Sequence, residues 1–166
     1  MTGLFEPVTL RRVAFRHTSP GRDPLSGIGA QRFGGRWNRP GGSAAIYLAD
    51  SVQTCVAEFR RTADGQGRGA ASLLPRELHR IALDGIEVVD LAAVGTLEAA
   101  GISAEDIAGS DWAKCQQLGE AVAVAGHPGL RAPSATGLGH VIVLFEARVP
   151  STRVRVVTTE QLGLHL

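Results

Sequence analysis

Lysine is almost absent from this chain: of 17 basic residues, Lys114 is the only lysine and the rest are arginines. Acidic residues number 16, so the formal net charge is only +1, which excludes the strongly basic surface of a protein that holds nucleic acid by charge. Cysteine is nearly as scarce. Cys55 and Cys115 cannot form a disulfide framework, and neither has a histidine or cysteine at zinc-ligand spacing, so both read as buried, reduced thiols and no metal site is expected. No apolar run approaches the roughly 20 residues that cross a bilayer. The opening "MTGLFEPVTLRR" lacks the basic-then-apolar order of an export leader, so a cytoplasmic protein without membrane contact is expected. Repeats and hydrophobic heptads are missing too.

What remains is ordinary globular material: 166 residues, 44% hydrophobic, mean hydropathy +0.06. That length suits one domain, residues 1–166, with a real core. "LRRVAFRHT" (10–18) alternates as a strand, with Val13 and Phe15 on one face and Arg12, Ala14 and Arg16 on the other. Residues 19–43 are too rich in glycine and proline for regular structure. Ordered loops of that length tend to be functional. "AAIYLA" (44–49) predicts a buried strand. Asp50 is positioned to cap the next helix, with Gln53 at the capping-box position. In that helix Val52, Cys55, Val56 and Phe59 form an apolar stripe with Glu58 at its edge.

Further on, 62–75 reads as a surface loop, and "ELHRIAL" and "EVVDL" as two strands. Short helices follow, then a longer one over "SDWAKCQQLGEAVAVAG" with Trp112, Cys115, Leu118 and Val122 inward. "GLRAPSATGLG" reads as a loop, and "HVIVLFEARV" and "TRVRVVT" as closing strands. The sum is an α+β fold of mixed, mostly antiparallel sheet with flanking helices. The elements do not alternate as a doubly wound nucleotide fold requires.

Three motif matches fail on context. "GQGRGA" has dinucleotide-like spacing but follows a helix instead of a strand. "GGSAA" resembles a nucleophile elbow, yet its serine precedes a strand. The five histidines show no H-x-x-x-H spacing. The polar residues that stand out are Arg16, Arg36, Tyr47, Glu58 and Ser134. Of these, Arg36 in "GGRWNRPGG" reads as functional unaided, because a glycine-rich turn is presenting a guanidinium suited to phosphate or carboxylate. Taken singly, Arg16 is a surface strand residue, Tyr47 a core tyrosine, Ser134 a turn serine, and Glu58 a partner for Arg61 one turn on.

The blocks "AFRH", "GGRWNRPGG", "AIYLADSVQTCVAEF" and "LRAPSA" resemble, in order, those of the RES domain, named for an arginine, a glutamate and a serine that match Arg36, Glu58 and Ser134. The resemblance implies an ADP-ribosyltransferase-like fold. It implies a toxin of a bacterial toxin–antitoxin pair that degrades NAD by hydrolysis or phosphorolysis, with NAD as substrate, inorganic phosphate or water as acceptor, and no resident cofactor. It also implies an Xre-like antitoxin that blocks the active site, and a homodimer within the larger assembly. Under it Glu58 stabilises the sugar cation left as nicotinamide departs, and Arg16 and Arg36 clamp phosphate oxygens, with Arg12 a rival for the place of Arg16. Tyr47 stacks on and orients the substrate. Ser134 bonds the ribose or holds Glu58. Trp37 and Asn38 brace the arginine turn. Two other functions use the same residues: transfer of ADP-ribose to a macromolecule, and non-catalytic binding. Val56, two residues before Glu58, leaves the chain without the Q-x-E or E-x-E pair common in protein-modifying transferases, and the intact Arg–Glu–Ser set speaks against mere binding.

Overall fold

Two long strands set the frame: β1 (Pro7–Thr18) and β3 (Glu77–Asp90) pair antiparallel over their whole lengths, from Pro7 against Val89 to Thr18 against Glu77. The structure, a computed structural model, describes residues 6–166; residues 1–5, where the leader reading begins, lie outside the described residues. The other edge of β1 meets β2 (Ala45–Ala49) at Phe15–Ala49. β2 pairs with β5 (His140–Phe145), β5 with β4 (Gly129–Pro133), and β4 runs parallel to the end of β3 at Val89–Leu130. The strand pairing thus closes on itself through five strands, with β6 (Val154–Gln161) added to the first half of β3. Only the β3–β4 contact is parallel. This is the mixed, mostly antiparallel α+β fold that the sequence implies.

Closure buries β5 on both faces, which is why "HVIVLF" reads as a continuous apolar run instead of alternating. Ile142 and Leu144 pack with Leu10, Ala14, Ile81 and Val88. Val143 and Phe145 pack outward on Cys115 and Val122 of α5 (Ala113–Val124) and on Trp37. A third cluster joins Cys55 and Phe59 of α2 (Val52–Gly65) to Leu78 and Leu162.

Several elements depart from the sequence expectation for local reasons. The long loop contains a six-residue helix, α1 (Ile28–Phe33), and "GLRAPSATGLG" contributes β4. The presumed loop 62–75 includes the last turn of α2 and a 3-10 turn at Ala70–Leu73. The two strands expected around residue 85 are one. Gly85 takes φ +75 and is passed over in the pairing, with Leu10 opposite Ile86 and Arg11 opposite Asp84. That is a bulge a left-handed glycine provides without ending the strand.

The cap of α2 is Ser51, whose Oγ accepts from the Thr54 amide. Asp50 is still tied into the sheet through its amide to the His140 carbonyl, so the chain is free to enter the helix one residue later than expected. On β1 the buried side carries Leu10 and Ala14, whereas Val13 is exposed. Two short helices, α3 (Thr96–Ala99) and α4 (Ala104–Ala108), fill the region before α5. Trp112 is not an inward residue of α5. It precedes the helix and is 37% exposed, and Leu118 is only partly buried. Among the described residues, no helix is long and apolar enough to cross a membrane.

Replacing Gly85 by alanine should lower unfolding free energy by about 1–2 kcal/mol, the cost of a left-handed non-glycine residue. The new Cβ would also meet the Arg11 guanidinium at 2.9 Å. Urea denaturation of the variant beside the parent measures this.

Candidate active site

The arginine-bearing turn is built around a hydroxyl. Tyr47, on β2, donates from its Oη to Asn38 Oδ1 at 2.7 Å and accepts from the Trp37 amide at 3.0 Å. Asn38 is fully buried and donates from Nδ2 to the carbonyls of Ala30 and Ser43 at 2.7 and 3.2 Å. Burial pushes the Tyr47 phenol well above its usual range. The hydroxyl is therefore spent on the turn, while Tyr47 still lines the cavity beside it. Gly34 and Gly41 take left-handed φ on either side. The Glu120 carboxylate clasps the far end of the turn, accepting from the amides of Arg39 and Ser43 and from the Ser43 hydroxyl.

α5 must lie flat against this turn. A Cβ on Gly119 would come within 1.8 Å of the Trp37 carbonyl oxygen, so no other residue fits there without moving backbone. Trp37 is buried under the helix, and Arg36 points the other way. Its Nη1 donates to the carbonyls of Asp106 and Gly109, both at 3.0 Å, and its guanidinium lies 5.3 Å from the Trp112 ring centroid. These carbonyls end α4, where the helix leaves acceptors unpaired and carries partial negative charge. Arg61 uses the same end, donating to the Ala108 carbonyl.

Glu58 sits on the face of α2 that also carries Arg61, Thr62 and Gly65, and all four line one cavity of about 600 Å³ with Arg36, Tyr47 and Trp112. The spacing i, i+3, i+4, i+7 was available in the sequence as a second sign that Arg61 belongs beside Glu58. Arg61 does not pair with Glu58 as the helix spacing suggests; its bond runs to α4. The partner of Glu58 is Ser134, whose Oγ lies 2.6 Å from Glu58 Oε1, a charge-assisted hydrogen bond by length. Ser134 is itself fixed by Thr136, through its hydroxyl at 2.7 Å and its amide at 3.2 Å. Of the two expectations for Ser134, the geometry corresponds to holding the carboxylate.

Arg16 lines a narrower adjoining cavity of about 280 Å³, whose walls include Tyr47, Glu58, Thr62 and Val141, all shared with the first. Its Nη1 donates to the carbonyls of Pro24 and Ser26 at 2.6 and 3.0 Å, and burial lowers its pKa. Arg12 lines neither cavity; it is exposed and donates to the Asp50 carbonyl. Glu58 is thus a wall common to an Arg36 cavity and an Arg16 cavity. A roomier hollow of about 970 Å³ on the outer side of α2 holds Arg60, Asp64 and Leu138. Glu58, Arg36 and Tyr47 do not line it, so its size does not make it the centre of chemistry. Among the described residues, no group of three or more acidic, histidine or cysteine side chains is placed to hold a metal ion.

Beside Arg16, the half-buried His17 packs edge-on against Phe59. Its Nδ1 accepts from Arg76 Nε at 2.8 Å, which requires the neutral ring. Burial first, then the charges of Arg76 and Arg16, lower its pKa to about 3.

The fold and cleft define a class: an α+β domain that sets a serine-held carboxylate between two arginine-lined cavities. A family model described as "RES domain" matches residues 9–166, and the chain belongs to that family. It is 42% identical over 136 residues to proteins called NAD(+) phosphorylase MbcT from Mycobacterium bovis and Mycobacterium tuberculosis, covering 81% of this chain and 73% of theirs. A crystal structure of the M. tuberculosis MbcT–MbcA toxin–antitoxin complex superposes with a TM-score of 0.89 at 34% identity, covering 95% of this chain and 88% of that one.

Two outcomes are expected from this geometry. Tyr47→Phe strips the Trp37 amide and Asn38 of a buried partner and should cost about 1–3 kcal/mol of stability, seen as a lower denaturation midpoint. His17 is held neutral in the fold but takes up a proton near pH 6.5 once unfolded. Between pH 6.5 and about 3 the unfolded chain therefore binds the extra proton. Stability should fall as the pH drops through this window, by roughly 1 kcal/mol per pH unit from this group. A His17→Gln variant should show a flatter profile in the same denaturation series.

Proposed function

We propose that this chain degrades NAD by breaking the nicotinamide–ribose bond, with inorganic phosphate as the favoured acceptor, and that it acts as the toxin of a toxin–antitoxin pair. One observation carries the reading. Among the described residues, Glu58 is the one carboxylate lining the 600 Å³ cavity, held by Ser134 at 2.6 Å and sharing that cavity with Arg36, in a chain 42% identical to proteins named for NAD phosphorolysis.

The chemistry follows from charge. As the N-glycosidic bond breaks, its electron pair goes to the nicotinamide nitrogen and positive charge spreads over C1′ and the ring oxygen of the ribose. A fixed carboxylate beside that sugar stabilises the cation more than the ground state. A phosphate oxygen then bonds to C1′, giving ADP-ribose phosphorylated at that carbon. Water in the same place gives ADP-ribose. Ser134 keeps Glu58 aimed, Tyr47 and Asn38 keep the turn of Arg36 in place, and Arg36 and Arg16 offer donors to phosphate oxygens from opposite cavities. NAD enters as substrate, and no resident cofactor or metal is invoked. The MbcT structure was solved with an antitoxin bound, which supports a protein antitoxin for this chain; the Xre-like class of that partner rests on the resemblance of the sequence blocks.

Purified free of any partner, the chain should release nicotinamide from NAD, faster with phosphate present and with a phosphorylated ADP-ribose as product. Glu58→Gln should lower the rate by about 10²-fold or more with an unchanged melting temperature. NAD left intact with and without phosphate overturns the proposal, and label retained on protein or nucleic acid identifies a transferase instead.

A further inference from the structure

Arg16, Arg22 and Arg76 line a polar hollow of about 440 Å³ that shares Arg16 and His17 with the narrow cavity beside Glu58. One carboxylate, Asp23, is part of the same lining, and its Oδ1 accepts from the Leu25 amide at 2.9 Å to hold the turn; a second, Glu77, is spent on the Gly21 amide at 3.0 Å. Two of the arginines are fixed by neutral partners. Arg16 is tied by Nη1 to the Pro24 and Ser26 carbonyls. Arg76 donates from Nε to His17 and from Nη1 to the Ser19 hydroxyl at 3.1 Å. The Nη2 groups of both make no hydrogen bond among the described residues, and the Arg22 guanidinium makes none at all.

Such a grouping is unfavourable on its own. Burial lowers the pKa of Arg16 and Arg76; Asp23 and Glu146 act to raise that of Arg16 while Arg76 lowers it, Arg22 acts against Arg76, and both Arg16 and Arg76 help keep His17 neutral. Guanidiniums brought together around a hollow, with unspent donors and too little negative charge, are stabilised by an anion that accepts several charge-assisted hydrogen bonds. The planar donor fork of arginine fits phosphoryl oxygens in pairs. Aromatic or long apolar side chains that would suit a base or a ring are scarce here, with Ile28 the sole large apolar residue in the lining.

We infer that the Arg16–Arg22–Arg76 hollow binds a phosphoryl group, either the diphosphate of NAD or a free inorganic phosphate. The first source rests on the function proposed above, and the second gives that reaction its acceptor from the side of the sugar opposite Arg36.

The test is isothermal titration of the parent, Arg22→Gln and Arg22→Glu with inorganic phosphate alone and, separately, with ADP-ribose. Arg22 is exposed and holds nothing else in place, so both variants should melt with the parent; Arg76→Lys, which keeps the charge and loses the fork, gives a second reading. The inference predicts at least a tenfold loss of affinity in Arg22→Glu, with a smaller loss in Arg22→Gln. Loss for phosphate alone assigns the hollow to the free ion, and loss for ADP-ribose with phosphate binding untouched assigns it to the diphosphate. Parent-like binding of both ligands by every variant, or no binding of either ligand by the parent, overturns the inference. Since no bond is broken in the titration, a chain that leaves NAD intact could still pass this test, and a chain that degrades NAD could still fail it.

Discussion

The hydroxyl of Tyr47 is the joint on which the cleft is assembled. It donates to Asn38 and accepts from the Trp37 amide, and so locks the glycine-rich turn to the middle of β2. Asn38 then carries the restraint to α1 and to the end of the turn. A buried amide and a buried phenol that satisfy one another cost little, whereas either one alone would carry the desolvation penalty of an unmet hydrogen bond. The direction of Arg36 is the by-product. With Trp37 buried under α5 and Gly119 allowing the helix to touch the backbone of the turn, the neighbouring side chain has only the cleft to enter. The same joint removes Tyr47 from the list of proton donors, because its hydroxyl is occupied and burial raises its pKa, holding the phenol protonated.

How much of this could be read from the residues depends on whether the cause was local. The turn at 34–42, the strand of Tyr47 and the helix stripe that puts Glu58 at an edge all follow from glycine chemistry and periodicity within a few residues. So did the α+β class. The continuity of β3 did not, since a glycine between two apolar runs is read as a break unless the partner strand is known to step over it. β4 was hidden for a similar reason. "GLRAP" is short and flanked by proline and glycine, and it becomes a strand because β5 and the end of β3 supply its hydrogen-bond partners. Within the candidate site, Arg36, Glu58 and Ser134 were legible because the order of their blocks resembles a family. Trp112 and Arg76 were not, and Arg61 only in its place beside Glu58, because their partners are reached through tertiary contacts: Arg36 for Trp112, the Ala108 carbonyl of α4 for Arg61 and His17 for Arg76.

The charges of the cleft are kept from one another. Arg36 and Arg61 are satisfied by neutral carbonyls at the end of α4, and Glu58 by the hydroxyl of Ser134. Among the described residues, no ion pair joins Glu58 to either arginine. A direct Glu58–Arg61 pair was open to the helix at its i, i+3 spacing, and it would have neutralised both groups. Neutral partners fix direction without cancelling charge, which leaves a carboxylate and guanidiniums each able to meet a group of opposite sign on a substrate. Under the proposed function that substrate is NAD, with a cationic nicotinamide ring joined through ribose to an anionic diphosphate. A site for it needs negative charge at the sugar and positive charge on the phosphates at the same time, held apart by protein.

That requirement also gives a reason for two arginine clusters where one would seem enough. If Arg36 and Arg61 alone surrounded Glu58, their field would act against the sugar cation that, under the proposed function, the carboxylate stabilises. Tying one pair to α4 draws part of its charge onto the helix carbonyls. Placing Arg22 and Arg76 beyond Arg16, in a separate hollow, keeps them out of the walls of both cavities that Glu58 lines. The half-buried, neutral His17 lines both the cavity of Glu58 and the hollow of Arg76, and an imidazole that stays uncharged to about pH 3 adds no cation of its own there. The order along the adjoining cavities, Arg36 then Glu58 then Arg16 then Arg76, is therefore an electrostatic sequence in which Glu58 is flanked by anchored positive groups, with Asp23 set among the outer ones and the degree of anchoring decreasing toward Arg22.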